Sequence, residues 1–356
     1  MPRLPTLVRL LVCSWLASAA GCGDVDQALL SAADAPGDSE SPARVVVDLG
    51  APAHARNKGA TDPFVAMSLN VRIPHRDDQG ERTWANRKGL INSMLRRFNG
   101  GVGPEIIGLQ ELYGWTNEEL SALLPHYFRY MVDRGDGEVL AIYVQTARFE
   151  VLHRAYRNTT NAQRDDLCDL VDAENHANRP IMFVRLKDRV TGRTVSVYNT
   201  HYPSKNSCER HGMSKIVAAY IAQNDPDGDV VMLGDLNDGV EGDGRLNGSY
   251  ARLLSATGLH NAFAAVRPMD ASTEFSSGAT GWSKTERHSR MIDHVLISSG
   301  IGVHDADVNK TMFTPDGLMV DCPALLNLTC VGSSWNAEQL RLYSDHWASW
   351  ALLWQP

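Results

Sequence analysis

Between residues 64 and 353 the chain breaks into short, often β-branched apolar runs, and six of them carry polar residues hard against one end. The six are Ser68-Leu69-Asn70-Val71-Arg72, Leu109-Gln110-Glu111, Asn199-Thr200-His201, Gly234-Asp235-Leu236-Asn237, Ile292-Asp293-His294 and Ser344-Asp345-His346. Runs of this length bounded by Gly, Asp, Asn or Pro read as buried β-strands. Carboxylates and imidazoles set against strand cores are costly to bury unless they are paired. A fold for this chain must therefore bring these strand ends to a place where the charges meet one another or a ligand. Because the clusters span the whole stretch, residues 63–356 read as one domain.

Strands are expected at 64–70, 105–110, 127–132, 138–145, 149–156, 180–187, 194–201, 229–234, 290–298 and 344–353. Two helices show an apolar stripe at helical spacing. The first carries Trp84, Leu90, Ile91, Met94, Leu95 and Phe98, with Arg87, Lys88, Arg96 and Arg97 off the stripe. The second carries Met213, Ile216, Val217, Tyr220 and Ile221. Short turns between some strands imply antiparallel pairing, while helices link others. That mixture favours stacked mixed sheets with helices outside over a purely parallel doubly wound sheet. The 43% hydrophobic and 21% charged residues are those of an ordinary globular chain. A formal charge of −8 excludes a protein coated with basic residues, though not a local basic cleft.

Upstream of the body, Arg3 and Arg9 precede an apolar run from Leu10 to Ala20. At about eleven residues the run is too short to span a bilayer, which takes roughly 20. It reads as an export signal over 1–22. Ala19-Ala20-Gly21-Cys22 resembles a bacterial lipobox, making Cys22 the candidate lipidated residue. Ala19 stands where such boxes usually carry Leu, so simple secretion is the competing reading. The expectation is an exported protein, periplasmic or on the cell surface, held at the membrane by a lipid anchor. Residues 23–62, rich in Ala, Asp, Pro and Ser, read as a flexible tether.

Beyond the signal region lie four cysteines: Cys168, Cys208, Cys322 and Cys330. An even count in an exported chain favours two disulfides, for which three pairings exist. The strands expected at 180–187 and 194–200 form a hairpin around Thr191-Gly192. Cys168 precedes it and Cys208 follows it, so both fall at its open end. The expected pairs are Cys168 with Cys208 and Cys322 with Cys330. No Cys-x-x-Cys spacing supports a thiolate metal site.

Singly, each polar cluster has a plain structural reading. Asn70 could end a strand by bonding the next turn, and Glu111 could favour a helix start. His201 could be a satisfied core histidine. Gly-Asp-Leu-Asn is more specific. After the strand Val230-Val231-Met232-Leu233, Gly234 allows a close backbone turn. Asp235 and Asn237, two apart, share a face if the chain stays extended. A carboxylate can then hold water while an amide donates to developing phosphate charge.

In this order the six clusters resemble the endonuclease/exonuclease/phosphatase superfamily, the relatives of pancreatic-type deoxyribonuclease and exonuclease III. The likeness runs over roughly residues 63–354. It implies a deoxyribonuclease I-like, four-layer α/β sandwich of two packed mixed sheets flanked by helices, with the site at one end. It also implies roles. Glu111 would be the principal Mg²⁺ ligand, with Mn²⁺ an alternative, supported by Asn70 and Asp345. Asp235 would orient or deprotonate the attacking water, and Asn237 would hold the phosphate. His346, oriented by Asp293, would face the phosphate as an imidazolium, with His201 a second acid/base or phosphate-binding group. Arg179 is a weaker phosphate candidate, and Tyr143 reads as a core or rim tyrosine. Water attacks directly in this family, without a covalent intermediate.

The substrate is less constrained. Basic residues flank the clusters: Arg72, His75 and Arg76; Lys205, Arg210, His211 and Lys215; Lys284, Arg287, His288 and Arg290. Such a rim suits a polyanion, so DNA or RNA is the expected partner; no protein partner is evident. A lipid phosphodiesterase would instead expose aromatic loop tips, for which Trp115, Trp282 and Trp335 are candidates. A small phosphomonoester is the third possibility, and a non-catalytic binding module on the same fold is a remote fourth.

Overall fold

The structure is a computed structural model, and it describes residues 62–159, 179–205, 207–225, 228–241, 246–267, 290–309, 311–313, 319–321 and 342–355. All of these belong to one compact unit, Val47–Pro356. Cys22 and the tether lie outside the described residues, as do Cys168, Cys322, Cys330, Trp282, Trp335 and the basic residues 284–288.

Two six-stranded sheets face each other. The first is built from β1 (Phe64–Asn70), β2 (Ile106–Tyr113), β3 (Tyr127–Asp133), β4 (Glu138–Gln145), β11 (Gly302–Asn309) and β14 (Ala348–Trp354). Its order is β11-β14-β1-β2-β4-β3. The second is built from β5 (Phe149–Arg157), β6 (Ile181–Asp188), β7 (Thr194–His201), β8 (Val230–Glu241), β9 (His260–Asn261) and β10 (Arg290–Ile297). Its order is β5-β6-β7-β8-β10-β9. A small hairpin, β12 (Thr311–Phe313) with β13 (Met319–Asp321), stands apart from both.

Each sheet has one parallel pair at its centre. β1 runs parallel to β2 with α1 (Trp84–Leu95) between them in sequence, and β7 runs parallel to β8 with α3 (Ser207–Asn224) between them. The remaining pairings are antiparallel. A strand–helix–strand crossover sends both strands out in one direction, so their carboxyl ends open together. Asn70 and Glu111 lie at those ends in the first sheet, His201 and Asp235 in the second. Shorter helices follow: α2 (Gly114–Leu123), α4 (Gly248–Thr257) and α5 (Ala262–Val266).

The two sheets touch most closely at Gly108. A Cβ there would lie 2.8 Å from the Leu233 Cβ and 2.9 Å from the Asn199 Oδ1. Beside it, Gln110 donates from Nε2 to Asn199 Oδ1 at 2.7 Å, and Asn199 donates from Nδ2 to the Leu109 and Ala141 carbonyls. All these groups are fully buried. A buried polar bridge of this kind fixes how the sheets align, because a slip would break the amide hydrogen bonds that span them.

The expected strands are present within a few residues, with three instructive departures. β11 was not foreseen: a bulge between Val303 and Asp305 breaks its alternation, and it is an edge strand with polar residues. The strand expected from 344 starts only at Ala348, leaving Ser344-Asp345-His346 in irregular backbone before it. Arg87, expected off the apolar stripe of α1, is fully buried within it. Its guanidinium clamps carbonyls: Nε donates to Arg82, the terminal nitrogens to Val71, Arg72 and Tyr343. Those carbonyls belong to the loop after Asn70 and the segment before Ser344.

Candidate active site

Glu111 occupies a bulge. Across β2 and β4, Leu109 pairs with Ala141 and Leu112 with Val139, so one extra residue is accommodated in β2. Glu111 takes φ of 60°, unusual for a residue with a side chain. The bulge turns its carboxylate to the strand ends, where Oε2 accepts from the Ile73 N–H at 3.0 Å. Oε1 accepts from Asn70 Nδ2 at 2.8 Å. The same Asn70 nitrogen donates to Asp235 Oδ2 at 2.9 Å, so one amide draws a carboxylate from each sheet to one point.

Asp235 and Asn237 converge differently from the sequence expectation. The extended conformation does not persist: Asn237 has φ of 45°, and several residues of β8 between Asp235 and Val240 face a single residue of β10. In this bulge the Asn237 N–H donates to Asp235 Oδ1 at 2.8 Å. Asn237 Nδ2 lies 2.9 Å from the Tyr202 carbonyl and 3.2 Å from His201 Nε2. Gly234 is needed for a close approach rather than a turn, since a Cβ there would meet the Thr200 carbonyl oxygen at 2.6 Å.

Two histidines flank Asp235. His346 Nδ1 is 2.9 Å from Asp293 Oδ2 and 3.8 Å from Asp235 Oδ2. Its loop is secured by the Ser344 hydroxyl, which donates to the Asn70 carbonyl and accepts from the His346 N–H. Burial opposes charge on His346, but Asp293 and Asp235 outweigh it and raise its pKa well above the ordinary value. Asp293, wholly buried, is itself pushed up to about 8, with burial the main cause. The pair titrates as a unit. We place its proton on His346, whose Nδ1 faces two carboxylates.

On the other side, His201 Nδ1 is 3.3 Å from Glu138 Oε1, while Nε2 turns inward, 3.6 Å from Asp235 Oδ2 and 4.0 Å from Glu111 Oε1. Glu138 was not foreseen. Burial works against its charge, but His201, Arg134 and Arg179 together depress its pKa to about 2. Arg134 bonds it directly. The signal lay in strand parity: Glu138 shares a face of β4 with Leu140 and Ile142, so an acid there points into packed core. Asp235 is held below the usual carboxylate range. Burial pushes it up, and His201, His346, the Asn70 amide and the Asn237 N–H more than offset that.

Asp345 is engaged by an arginine rather than by this cluster's amide. Its Oδ2 accepts from Arg72 at 2.8 Å, and Arg72 also reaches Asp78 at 3.4 Å. Arg72, expected on a basic rim, is thus an internal tie. Arg210 is likewise engaged, donating to the carbonyls of Pro203 and Ser204. Arg179 behaves otherwise: its NH1 is buried without a hydrogen-bond partner among the described residues. Burial, together with Arg134 nearby, lowers its pKa. An orphaned guanidinium N–H beside the site is an anion receptor in waiting. Tyr143 is core, bonding the Asn117 side chain at 2.8 Å. His294 is core too: it stacks on Tyr250, its Nε2 faces the Asp238 carbonyl at 2.9 Å, and burial pushes its pKa down to about 4. Cys208 is disulfide-bonded at the start of α3.

Ligand atoms of Glu111, Asp235 and His346 all lie within 4.8 Å of one another. His346 is a poor ligand while its ring is held protonated, since an imidazolium has no free lone pair. The carboxylates of Glu111 and Asp235, drawn together by one amide, form an oxygen-rich donor set that fits a hard divalent cation. Among the described residues no lysine or arginine bonds either carboxylate, and two converging carboxylates are the electrostatic complement of such an ion.

The comparisons with known proteins agree with this geometry. A crystal structure of an endonuclease/exonuclease/phosphatase family protein from Bacteroides thetaiotaomicron aligns with a TM-score of 0.63 and 17% identity, covering 83% of this chain and 99% of that one. A mannosyl-6-phosphatase from the same organism aligns with a TM-score of 0.62 and 17% identity, over 82% and 99%. D. rerio TDP2 complexed with single-strand DNA product aligns with a TM-score of 0.54 and 15% identity, over 82% and 98%. At these identities the likeness establishes the fold. No curated protein matches the sequence. A sequence profile matches residues 67–346, from β1 to the catalytic histidine candidate His346, and on that match the chain belongs to the Endonuclease/Exonuclease/phosphatase family of phosphoesterases.

Proposed function

We propose that this protein is an exported, Mg²⁺-dependent phosphodiesterase that hydrolyses nucleic acid by direct attack of water. The observation that carries the reading is Asp235, fully buried, kept ionised, and flanked by two histidines each held by its own carboxylate. Diester cleavage needs a base for water and a proton for a poor alkoxide leaving group. This arrangement supplies both without a covalent nucleophile.

Glu111 and Asp235, with Asn70 between them, would hold the cation, and Asp345 would support it through the Arg72 tie. Bound there, a divalent ion would neutralise phosphate charge and lower the pKa of water. Asp235 orients the attacking water. His346 holds a proton on the imidazole and faces the phosphate. Asn237 positions the inner nitrogen of His201, and Arg179 offers its unused N–H to a phosphate oxygen.

Export and lipidation at Cys22, and the pairs Cys168–Cys208 and Cys322–Cys330, belong to the same proposal and rest on the sequence alone. No helix among the described residues is long and apolar enough to cross a membrane. A second reading, a small-molecule phosphatase, draws on one observation: Arg72 and Arg210 are already tied within the protein, which removes two cations from the expected polyanion track. The test is nicking of supercoiled plasmid with Mg²⁺, with EDTA, and with the Asp235→Ala protein. Mg²⁺-dependent nicking that the variant lacks supports the nuclease. A folded, metal-binding protein that leaves plasmid intact but hydrolyses sugar phosphates sinks it in favour of the second reading.

A further inference from the structure

A cleft of about 300 Å³ opens between the loop after Asn70 and the first turns of α1 and α2. Its walls are two indoles, Trp84 and Trp115, set edge to face with ring centres 6.4 Å apart. Trp84 is buried, whereas Trp115 is 52% exposed, the largest exposed aromatic among the described residues. The cleft is tied to the site through the backbone. Trp115 follows Glu111 by four residues, and Ile73, one residue before the lining Pro74, donates its N–H to Glu111. Asp78 at the rim binds Arg72, which binds Asp345.

The charges lining the cleft are balanced internally. Glu119 accepts from both Trp84 Nε1 and Lys88 Nζ at 2.9 Å. Asp78 accepts from Arg72 and from the His75 N–H. A second phosphate would therefore meet paired acids with little free positive charge. An acyl chain would meet five polar side chains, those of His75, Asp78, Thr83, Lys88 and Glu119, in a small cleft. What remains is a flat aromatic surface with polar edges, which suits an uncharged planar ring that carries donors and acceptors.

We propose that this cleft is a subsite for one unpaired nucleobase of the nucleotide flanking the scissile phosphate, stacked on Trp115. The inference rests on the nuclease reading and adds to it a preference for single-stranded or frayed substrate, because a paired base cannot leave its stack to reach the indole. Stacking of a base on an aromatic side chain tolerates any base, so the preference is for strandedness, not for sequence.

The test uses the full chain, as wild type, Trp115→Ala and Trp115→Phe, on a single-stranded oligonucleotide with all its bases and on an abasic oligomer of the same length. The expected result is a KM for the intact strand raised about 10-fold by Trp115→Ala and restored by Trp115→Phe, with kcat little changed. On the abasic oligomer the three proteins should be equal. A Trp115→Ala loss equally large on both oligomers, or absent from both, would overturn the subsite. A parallel binding arm reads quenching of tryptophan fluorescence by adenosine and by methyl mannoside. Adenosine quenching lost in Trp115→Ala supports the subsite even if no oligonucleotide is cleaved, in which case only the nuclease reading fails. Quenching by methyl mannoside and not by adenosine overturns the base and assigns the cleft to a saccharide.

Discussion

His346 and His201 approach Asp235 from opposite sheets, and each is held by a carboxylate that belongs to the other sheet. His346 stands before β14 of the first sheet and bonds Asp293 of the second; His201 ends β7 of the second and bonds Glu138 of the first. The geometry is reciprocal but the electrostatics are not. Glu138 is held ionised by His201 first and then by Arg134 and Arg179, so two arginines reinforce the imidazole. Asp293 is fully buried, and its pKa rises rather than falls, with burial the main cause. The lesson is that a carboxylate–histidine pair acquires its role from how deeply the carboxylate is buried and which charges lie around it. The Asp293 pair keeps its proton on site, while the Glu138 pair anchors a ring whose inner nitrogen faces the reacting groups.

The sharpest way to break this contrast is to remove its common point. His346→Ala and Asp235→Ala should each lower kcat by about 10³-fold or more while leaving the melting temperature near that of wild type. Near wild-type turnover in either variant would remove the basis for the assignment. Asp293→Asn comes next, with an expected loss of about 10²-fold and a diagnostic change in the pH–rate profile. Asp293 raises the pKa of His346, so the imidazolium persists above the ordinary histidine range and is lost as pH climbs through the raised value. With Asn in its place the alkaline limb should move down in pH; an unmoved limb would assign that limb to another group.

Glu138→Gln should cost less, about 10-fold in kcat, and its clearer signature is in stability. Glu138 is depressed to about 2 from an ordinary 4.5, so its contribution is present above pH 4.5 and fades as pH falls toward 2. Acid unfolding followed by circular dichroism should therefore be shallower in Glu138→Gln across that window. The smallest expected effect is at Arg179, which feels Glu138, Asp235 and Glu111 but bonds none of them. Arg179→Met should raise KM about 10-fold for a phosphodiester, the scale of one lost charge-assisted hydrogen bond, with kcat changed less.

Much of this site could be read from the chain before its structure. Asn70, Glu111, His201, Asp235, Asn237, Asp293 and His346 all meet at one end of the two sheets, because each ends or interrupts a strand and so carries a local polar signature. Glu138 carried only its strand parity and Arg134 nothing, since they flank Asp136-Gly137 and resemble the charged turn of any hairpin. Arg87 was hidden for the opposite reason: helical spacing from Trp84 places it in the stripe with Ile91 and Met94, yet a cation there contradicts the polarity rule unless carbonyls await it. Arg72 looked like rim and is a tie, a difference made only by where Asp345 lies 273 residues later. The bulges at Glu111 and Asn237 were also beyond reach, because each depends on a register set by a partner strand.

Gly108 gives the two sheets their thickness. It lies three residues before Glu111 and faces Leu233, two residues before Asp235. The gap that Asn70 bridges between those two carboxylates is therefore gauged by a side chain that is missing. One added methyl would act as a shim: it would push β2 from β8, lengthen the paired 2.8 and 2.9 Å bonds of the Asn70 amide, and detune the cation site while leaving the groups that bind it unaltered. The chemistry of the site thus depends on a residue outside the polar cluster, through the spacing of the frame.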